Sequence, residues 1–209
     1  MTELIFIRHG VTDWNLERRF QGCIDIELNA EGLTQARLTA ERLAGMPLAA
    51  VYASDLRRAR QTAEPIARAI GVSVAVEPGL RERHYGAFEG RTHDELSRDH
   101  PEAYQRWRDR VPDYPLPGGG ESLLTLRERV QAQMDRLAAR HPGQTIVAVT
   151  HGGVLDSIYR IAAGLASDAP RRFELNNASI NRIGWDGERF HVIDWGDVSH
   201  LGPPPVSLK

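Results

Sequence analysis

Short apolar runs alternate with amphipathic stretches along most of this chain. The runs over 4–7, 49–53 and 145–149 are rich in Ile, Val, Phe and Ala and have the length of buried strands. Over 30–44 and 56–70, apolar residues recur every three or four positions, which predicts helices with one buried face. This alternation predicts a three-layer α/β fold, with a mostly parallel sheet flanked by helices on both faces.

Capping and turn residues mark the ends of further elements. Asn29 is suited to cap the helix that follows it, and Ser122 to cap a long amphipathic helix. The segments 179–185 and 189–195, joined through Asp-Gly, predict a β-hairpin. Residues 201–209 are predicted to form a proline-rich, poorly ordered tail.

The pattern changes between residues 92 and 120. Two short helical segments, 92–99 and 101–110, precede a stretch rich in proline and glycine, which we interpret as a small helical cap inserted into a single domain over 1–209. The cap combines aromatic residues with arginines, namely Tyr104, Trp107, Tyr114, Arg106, Arg108 and Arg110. Such a mixture suits the wall of a pocket, and it equally fits a surface subdomain with its aromatic side chains packed inward.

Composition narrows the class of protein. With 41% hydrophobic and 26% charged residues, the 209-residue chain can bury a core and shows no signature of disorder. Its apolar runs are too short to span a bilayer, and its start lacks the pattern of a signal peptide, so we expect a cytoplasmic protein without a membrane partner. The net charge of −2, with basic residues spread along the chain, argues against nucleic acid as a partner. The sequence leaves open whether the chain forms a homodimer.

Basic and imidazole side chains follow two of the predicted strands. Arg8-His9-Gly10 comes directly after the first strand, and His151-Gly152 after the strand over 145–149. The carboxyl ends of parallel strands meet at one edge of a sheet, where open α/β sheets bind ligands. A lone Arg-His pair would more simply mark the exit of a strand into solvent, but the repeated pattern indicates a site.

Two further segments complete a family signature. Arg58 lies in the first turn of the predicted helix over 56–70, and Glu82 lies in a loop punctuated by glycines. With the two histidine turns, they resemble the histidine phosphatase superfamily, the phosphoglycerate-mutase-like enzymes. The signatures of that family are an RHG turn, an S-x-L-x-R-A-x-x-T-A segment, an L-x-E loop and a second H-G turn. The matches occur in that order, at 8–10, 54–63, 80–82 and 151–152.

The resemblance implies a metal-independent phosphomonoesterase that acts on a small phosphorylated metabolite through a phosphohistidine on His9. Arg8 and Arg58 would clamp phosphate oxygens with planar, permanently charged guanidinium groups. His151 would donate a hydrogen bond to the developing charge, and Glu82 would protonate the leaving group. Secondary phosphate ligands are expected among Asn15, Gln21, Gly152 and the hydroxyls of Ser54 and Thr62.

Individual residues have simpler alternatives. Glu82 could form a salt bridge with Arg81 or Arg83 instead of serving as an acid. His84, beside the acid loop, could touch substrate, whereas the remaining histidines are expected to be surface or structural residues: His93, His100, His141, His191 and His200. No histidine pair has the spacing of a zinc site and the carboxylates do not cluster as magnesium ligands, so neither a metal nor a cofactor is predicted.

Two other activities use the same residues. A cofactor-dependent phosphoglycerate mutase would return the phosphoryl group to its substrate, and an inactive relative would serve as a phosphate-binding module. The intact set of arginines, histidines and Glu82 argues against the inactive module. The short cap, the short tail and the residues that follow the RHG turn resemble the phosphatase branch more than the mutases, which carry a larger insertion after the acid loop and a more extended C-terminal segment.

Overall fold

The computed structural model describes residues 1–202, so the predicted tail lies outside the described residues from 203 onward. Within 1–202, six strands form one sheet: β1 (Thr2–Arg8), β2 (Leu48–Ala53), β3 (Val74–Val76), β4 (Thr145–Thr150), β5 (Ile180–Trp185) and β6 (Phe190–Asp197). The same range contains seven α-helices: α1 (Asp13–Leu16), α2 (Ala30–Leu43), α3 (Arg57–Ile70), α4 (His93–Asp99), α5 (Pro101–Arg108), α6 (Leu123–Arg140) and α7 (Gly152–Ala162). Single 3₁₀ turns occur at Pro78–Leu80, Gly86–Phe88 and Ser199–Leu201.

The strand order in the sheet is β3-β2-β4-β1-β5-β6. The first four strands in that order run parallel, and β5 and β6 form the predicted antiparallel hairpin at one edge. In the register of the two central strands, Arg8 on β1 lies beside Thr150 on β4. The next residues, His9 and His151, therefore leave the sheet side by side, which brings the two histidine turns together.

Helices cover both faces of the sheet, which confirms the predicted three-layer α/β fold. Alternate residues of β1 point to opposite faces: Leu4 and Phe6 pack with α6 and α7, whereas Ile5 and Ile7 pack with α2 and α3. All four side chains are fully buried, so β1 is an interior strand that holds the turn after it at a fixed place.

Local chemistry explains where the helices begin. The predicted caps are confirmed: the Asn29 side chain accepts a hydrogen bond from the Gly32 amide at 2.9 Å, and Ser122 accepts one from the Thr125 amide at 3.0 Å. A close backbone contact joins the start of α2 to the turn after β1, because a Cβ at Gly10 would lie 2.6 Å from the Gly32 carbonyl oxygen. Only glycine at position 10 allows the helix to pack directly against the histidine turn.

The segment between residues 92 and 120 contains the two predicted short helices, α4 and α5. α5 ends two residues earlier than predicted, because Arg110 adopts a left-handed backbone with φ of 54° that no helix continues. Tyr104 and Tyr114 pack against a small separate apolar cluster, as the inward alternative expects, while Trp107 both packs there and lines the main cavity. Each interpretation of the cap aromatics is therefore right for part of the set.

No helix within residues 1–202 is both long enough and apolar enough to cross a membrane.

Candidate active site

A cavity of ≈ 1020 Å³ opens at the carboxyl ends of β1 and β4. Four of the five predicted catalytic side chains line it, namely Arg8, His9, Arg58 and Glu82. His151 lies directly behind His9, fully buried, with the two imidazole ring centroids 5.2 Å apart. The fold thus brings together residues that are up to 143 positions apart in the sequence, 8 to 151.

The His9 ring is held in one orientation by its own turn. Nδ1 lies 2.7 Å from the carbonyl oxygen of Gly10, which can only accept a hydrogen bond, so Nδ1 carries the proton and Nε2 carries the lone pair. The backbone is fixed as well, because the His9 amide donates to the Thr150 carbonyl at 2.9 Å and its own carbonyl accepts from Nδ2 of Asn177 at 2.9 Å. Nε2 of His9 therefore carries a lone pair in a fixed position.

Both imidazoles are kept neutral by their surroundings. Burial, followed by the positive charges of Arg58 and Arg8, holds the pKa of His9 well below its usual 6.5. Burial and Arg58 likewise hold the pKa of His151 well below 6.5. The uncharged form of an imidazole is the one that can act as a nucleophile, so the two arginines favour that form of His9.

The arginines are anchored by backbone carbonyls and not by carboxylates. Nη1 and Nη2 of Arg58 donate to the carbonyls of Ile24 and Gly22 at 2.8 and 2.7 Å, and Nη1 of Arg8 donates to the carbonyl of Leu175. The charge of each guanidinium is left without a direct countercharge among residues 1–202. Both are therefore positioned to receive the negative charge of a ligand.

Several buried polar atoms around the cavity have no hydrogen-bond partner within the described part of the chain. They are Nε of Arg8, Nε of Arg58, both ring nitrogens of His151 and Oε1 of Gln21. A buried polar group without a partner costs roughly 1–3 kcal/mol, and such groups rarely cluster in a folded protein. The two arginine Nε atoms and one ring nitrogen of His151 are donors, so their concentration at one place indicates a site that is completed by a ligand with oxygen acceptors.

Glu82 is held by backbone amides. Its carboxylate accepts from the Arg83 amide at 2.8 Å and from the Gly153 amide at 3.1 Å. The alternative of a salt bridge with a neighbouring arginine is wrong, because Arg81 pairs with Asp55 and the Arg83 guanidinium donates to the Glu121 carbonyl at 2.7 Å. The carboxylate thus faces the cavity free of a guanidinium partner among residues 1–202.

The secondary ligands divide into two groups. Asn15, Gln21 and Gly152 line the cavity, with Asn15 oriented by the amide of Thr12, which donates to its Oδ1 at 3.0 Å. Ser54 and Thr62 do not line it: both are fully buried. Ser54 Oγ accepts from the Leu56 amide at 3.3 Å, and Thr62 Oγ1 accepts from the Gly10 amide at 3.0 Å. These two hydroxyls stabilise the backbone around the site, because each accepts a hydrogen bond from a nearby backbone amide and not from a ligand.

The residues that sequence reasoning missed come mainly from the loop over 164–179. This loop supplies the carbonyl that anchors Arg8, the Asn177 amide that holds His9, and two cavity-lining arginines, Arg171 and Arg172. The Arg-Arg pair was the available signal, but the loop has no periodicity that could place it. The surface or structural assignment of His93 is also incomplete, because His93 lines the cavity while its Nδ1 bonds the Tyr104 hydroxyl at 3.0 Å.

A buried ionic network ties the 164–179 loop to α7 and to the end of α5. Asp156 accepts from Nε of Arg160 at 2.8 Å and from Nη2 of Arg110 at 2.6 Å. Arg160 also donates to the carbonyls of Ala166 and Ala169, and Arg110 to that of Ser167. Through this network, Asp156 helps to fix the loop that anchors Arg8.

Backbone strain is concentrated at the same place. Three non-glycine residues within 1–202 have a positive φ: Arg18 at 55°, Arg110 at 54° and Ala178 at 56°. Arg18 and Arg110 line the cavity, and the Ala178 amide donates to the carbonyls of Arg8 and His9. Strained residues of this kind persist where the surrounding structure enforces them, commonly at functional sites.

Comparison with known proteins identifies the family. The model of the histidine phosphatase superfamily (branch 1) matches residues 4–198. A phosphoglycerate mutase-like protein 4 of Arabidopsis thaliana is 42% identical over 202 residues, covering 95% of this chain and 86% of the relative. A metal-independent phosphoserine phosphatase of the same plant is 41% identical over 204 residues, covering 96% of this chain and 84% of the relative.

A comparison with a solved structure gives the same family. The chain of Bacillus stearothermophilus YhfR superposes with a TM-score of 0.88 at 35% identity, covering 96% of this chain and 100% of that one. The resemblance predicted from the four motifs is confirmed by both kinds of comparison. This chain belongs to the histidine phosphatase superfamily, branch 1.

Proposed function

We propose that this phosphatase hydrolyses a small phosphate monoester through a covalent phosphohistidine on Nε2 of His9. The observation that carries the proposal is the hydrogen bond between His9 Nδ1 and the Gly10 carbonyl, at 2.7 Å. It leaves the lone pair on Nε2, beside a cavity where Nε of Arg8, Nε of Arg58 and the ring nitrogens of His151 lack protein partners within residues 1–202. A tetrahedral, dianionic phosphate supplies the acceptors that this set of donors requires.

The reaction then proceeds in two displacements. In the first, Nε2 of His9 bonds to phosphorus while the ester P–O bond breaks, and Glu82 gives its proton to the departing oxygen. In the second, Glu82 takes a proton from water, the water oxygen bonds to phosphorus, and the Nε2–P bond breaks. Inorganic phosphate leaves and both side chains return to their starting states.

The surrounding charges act on the transferring phosphoryl group. Its transition state spreads negative charge over three equatorial oxygens, which catalysis must stabilise. Arg8 and Arg58 are already fixed by backbone carbonyls, and His151 is fixed by complete burial, so little reorganisation accompanies the reaction. Within residues 1–202, no group of three or more His, Cys, Asp and Glu side chains is arranged to hold a metal ion.

A phosphoglycerate mutase is the second candidate, favoured by the name of the mutase-like plant relative. The same His9 chemistry would serve it, with the phosphoryl group returned to a second substrate oxygen and not to water. The test compares phosphate release from phosphoserine, phosphoglycerates and sugar phosphates with the interconversion of 3- and 2-phosphoglycerate in the presence of bisphosphoglycerate. We expect hydrolysis to dominate and to persist in a chelator. Interconversion that outruns hydrolysis by a wide margin would reject the phosphatase assignment in favour of the mutase.

A further inference from the structure

Four arginines surround the mouth of the active-site cavity without any partner of their own. Arg18 follows α1, Arg108 ends α5, and Arg171 and Arg172 lie in the 164–179 loop. All four side chains are exposed and line the same cavity. Within residues 1–202, none of their guanidinium groups makes a hydrogen bond or a salt bridge.

This lack of partners distinguishes them from the other arginines of the cavity wall. Arg19 pairs with Glu17 and Glu95, and Arg110 pairs with Asp156. Of the carboxylates that line the cavity, Asp156 is already shared by two arginines and Glu82 is held by backbone amides. Only Glu174 adds a further negative charge at the mouth. The mouth therefore carries a clear excess of uncompensated positive charge.

The arginines converge from three separate parts of the chain. Arg171 is close enough to Arg8 for its charge to lower the pKa of that guanidinium, and Arg18 likewise lowers the pKa of His93. Arg18 has a left-handed backbone, φ 55°, at the turn that ends α1. The four arginines therefore adjoin the proposed phosphate site but are not part of it.

We propose that Arg18, Arg108, Arg171 and Arg172 form a second anion subsite that binds a negatively charged group at the far end of the leaving group. The inference rests on the proposed phosphatase function and specifies its substrate class: esters whose leaving group carries its own carboxylate or phosphate. Guanidinium groups bind both anions with paired N–H donors, so the two chemistries share one subsite. The cavity of ≈ 1020 Å³ has room for a leaving group that spans the distance from His9 to this rim.

A matched set of esters tests the subsite in the intact protein. Glucitol 6-phosphate has a neutral far end, 6-phosphogluconate carries a carboxylate there, and glucitol 1,6-bisphosphate carries a phosphate. Glycerol 3-phosphate and 3-phosphoglycerate form a short pair, in which the anion stays near the reacting phosphate. The rate of phosphate release with each ester gives kcat and KM separately.

The variants remove charge while keeping polar side chains of similar length. Arg171→Gln combined with Arg172→Gln removes two charges from the mouth. Arg60→Gln combined with Arg68→Gln removes the same charge from α3, where both arginines are exposed and lie outside the cavity lining. The second pair of substitutions controls for the change in net charge.

We expect the wild-type protein to prefer the two long anionic esters over glucitol 6-phosphate. The Arg171 and Arg172 double variant should lose roughly tenfold to a hundredfold in kcat/KM for those two esters, mainly through KM, because the contact lies away from the reacting atoms. Its loss on glucitol 6-phosphate should stay within about twofold, and the α3 variant should lose no more than about twofold on any ester. Whether the carboxylate or the phosphate loses more identifies which anion the subsite prefers.

Three results would overturn the subsite. The first is that the wild type has equal kcat/KM for the neutral and the anionic long esters. The second is that the Arg171 and Arg172 double variant loses the same factor in kcat/KM on all esters. A comparable loss in the α3 variant would assign the effect to net charge. If the rate of phosphate release does not depend on the charge at the far end of the ester, the subsite is rejected and the phosphatase function stands. If no ester releases phosphate, 4-nitrophenyl phosphate included, the phosphatase function and the subsite are rejected together.

Discussion

Substituting alanine for Gly153 tests how Glu82 is held. Gly153 lies in the first turn of α7, and its amide donates to both carboxylate oxygens of Glu82 at 3.1 Å. A Cβ at this position would lie 2.6 Å from Oε1 of Glu82 and 3.1 Å from the Tyr85 hydroxyl oxygen. Carbon and oxygen atoms that are not bonded do not approach to 2.6 Å. In Gly153→Ala the Glu82 carboxylate must therefore rotate away from the place where we propose that it meets the leaving group.

The expected cost follows from the role proposed for Glu82. A positioned general acid contributes about 10²–10⁴-fold to the rate. We expect Gly153→Ala to lower kcat for an alkyl phosphate by about a hundredfold, and for 4-nitrophenyl phosphate by less than about threefold, because nitrophenolate leaves without a proton. The helix itself should not suffer, since alanine is favoured over glycine in a helix by roughly 0.5–1 kcal/mol.

The assay measures kcat for glycerol 3-phosphate and 4-nitrophenyl phosphate in the wild type, Gly153→Ala and Glu82→Gln. Gly152→Ala is the matched comparison, because its Cβ would meet the Arg8 guanidinium at 3.5 Å or more, an ordinary contact distance. We expect Gly152→Ala to lose much less than Gly153→Ala on the alkyl ester. Equal slowing of the two esters in Gly153→Ala, or a loss confined to the alkyl ester in Gly152→Ala, would refute this account of Glu82.

The remaining predictions concern charge. Because the pKa values of His9 and His151 lie well below 6.5, the unfolded chain binds more protons as the pH falls below 6.5. The free energy of unfolding should then drop by up to about 1.4 kcal/mol per pH unit for each histidine, as urea denaturation from pH 7.5 to 5.0 would measure. His151→Gln should reduce the slope of the unfolding free energy against pH by the contribution of one histidine, up to about 1.4 kcal/mol per pH unit. An unchanged slope would contradict a neutral, buried His151 ring. Arg58→Lys should lower kcat by about a hundredfold or more, because an ammonium group cannot reproduce the planar guanidinium that the Ile24 and Gly22 carbonyls hold in place. A loss of kcat within about threefold would place Arg58 outside the reaction. Asp156→Asn should cost about 3 kcal/mol of unfolding free energy and speed amide exchange over 166–176, whereas unchanged exchange would contradict its role in fixing the loop.

The central architecture and the core of the site were predictable because they depend on local patterns. Buried strands, amphipathic helices and caps follow from the spacing of apolar residues and from side chains such as Asn29 and Ser122. The pairing of His9 with His151 followed from two strands that end in the same motif and run parallel at the centre of the sheet. In each case a few residues close in sequence contain the information.

The features that could not be predicted depend on long-range contacts without a periodic signal. Leu175 reaches Arg8 across 167 positions, and Asn177 reaches His9 across 168, from a loop with no regular structure. The hydroxyls of Ser54 and Thr62 matched a family motif, yet nearby backbone groups use them. A motif identifies which residues belong to a site, but only packing decides which atoms remain free for a ligand.

Trapping the covalent intermediate tests the central claim most directly. The protein is mixed with an ester carrying ³²P and quenched in base within milliseconds, and the labelled peptide is then mapped, with His9→Ala treated in parallel. We predict base-stable, acid-labile phosphate on His9, up to one per chain, and neither label nor turnover in His9→Ala. Label on a different residue, or full turnover by His9→Ala, would contradict the mechanism.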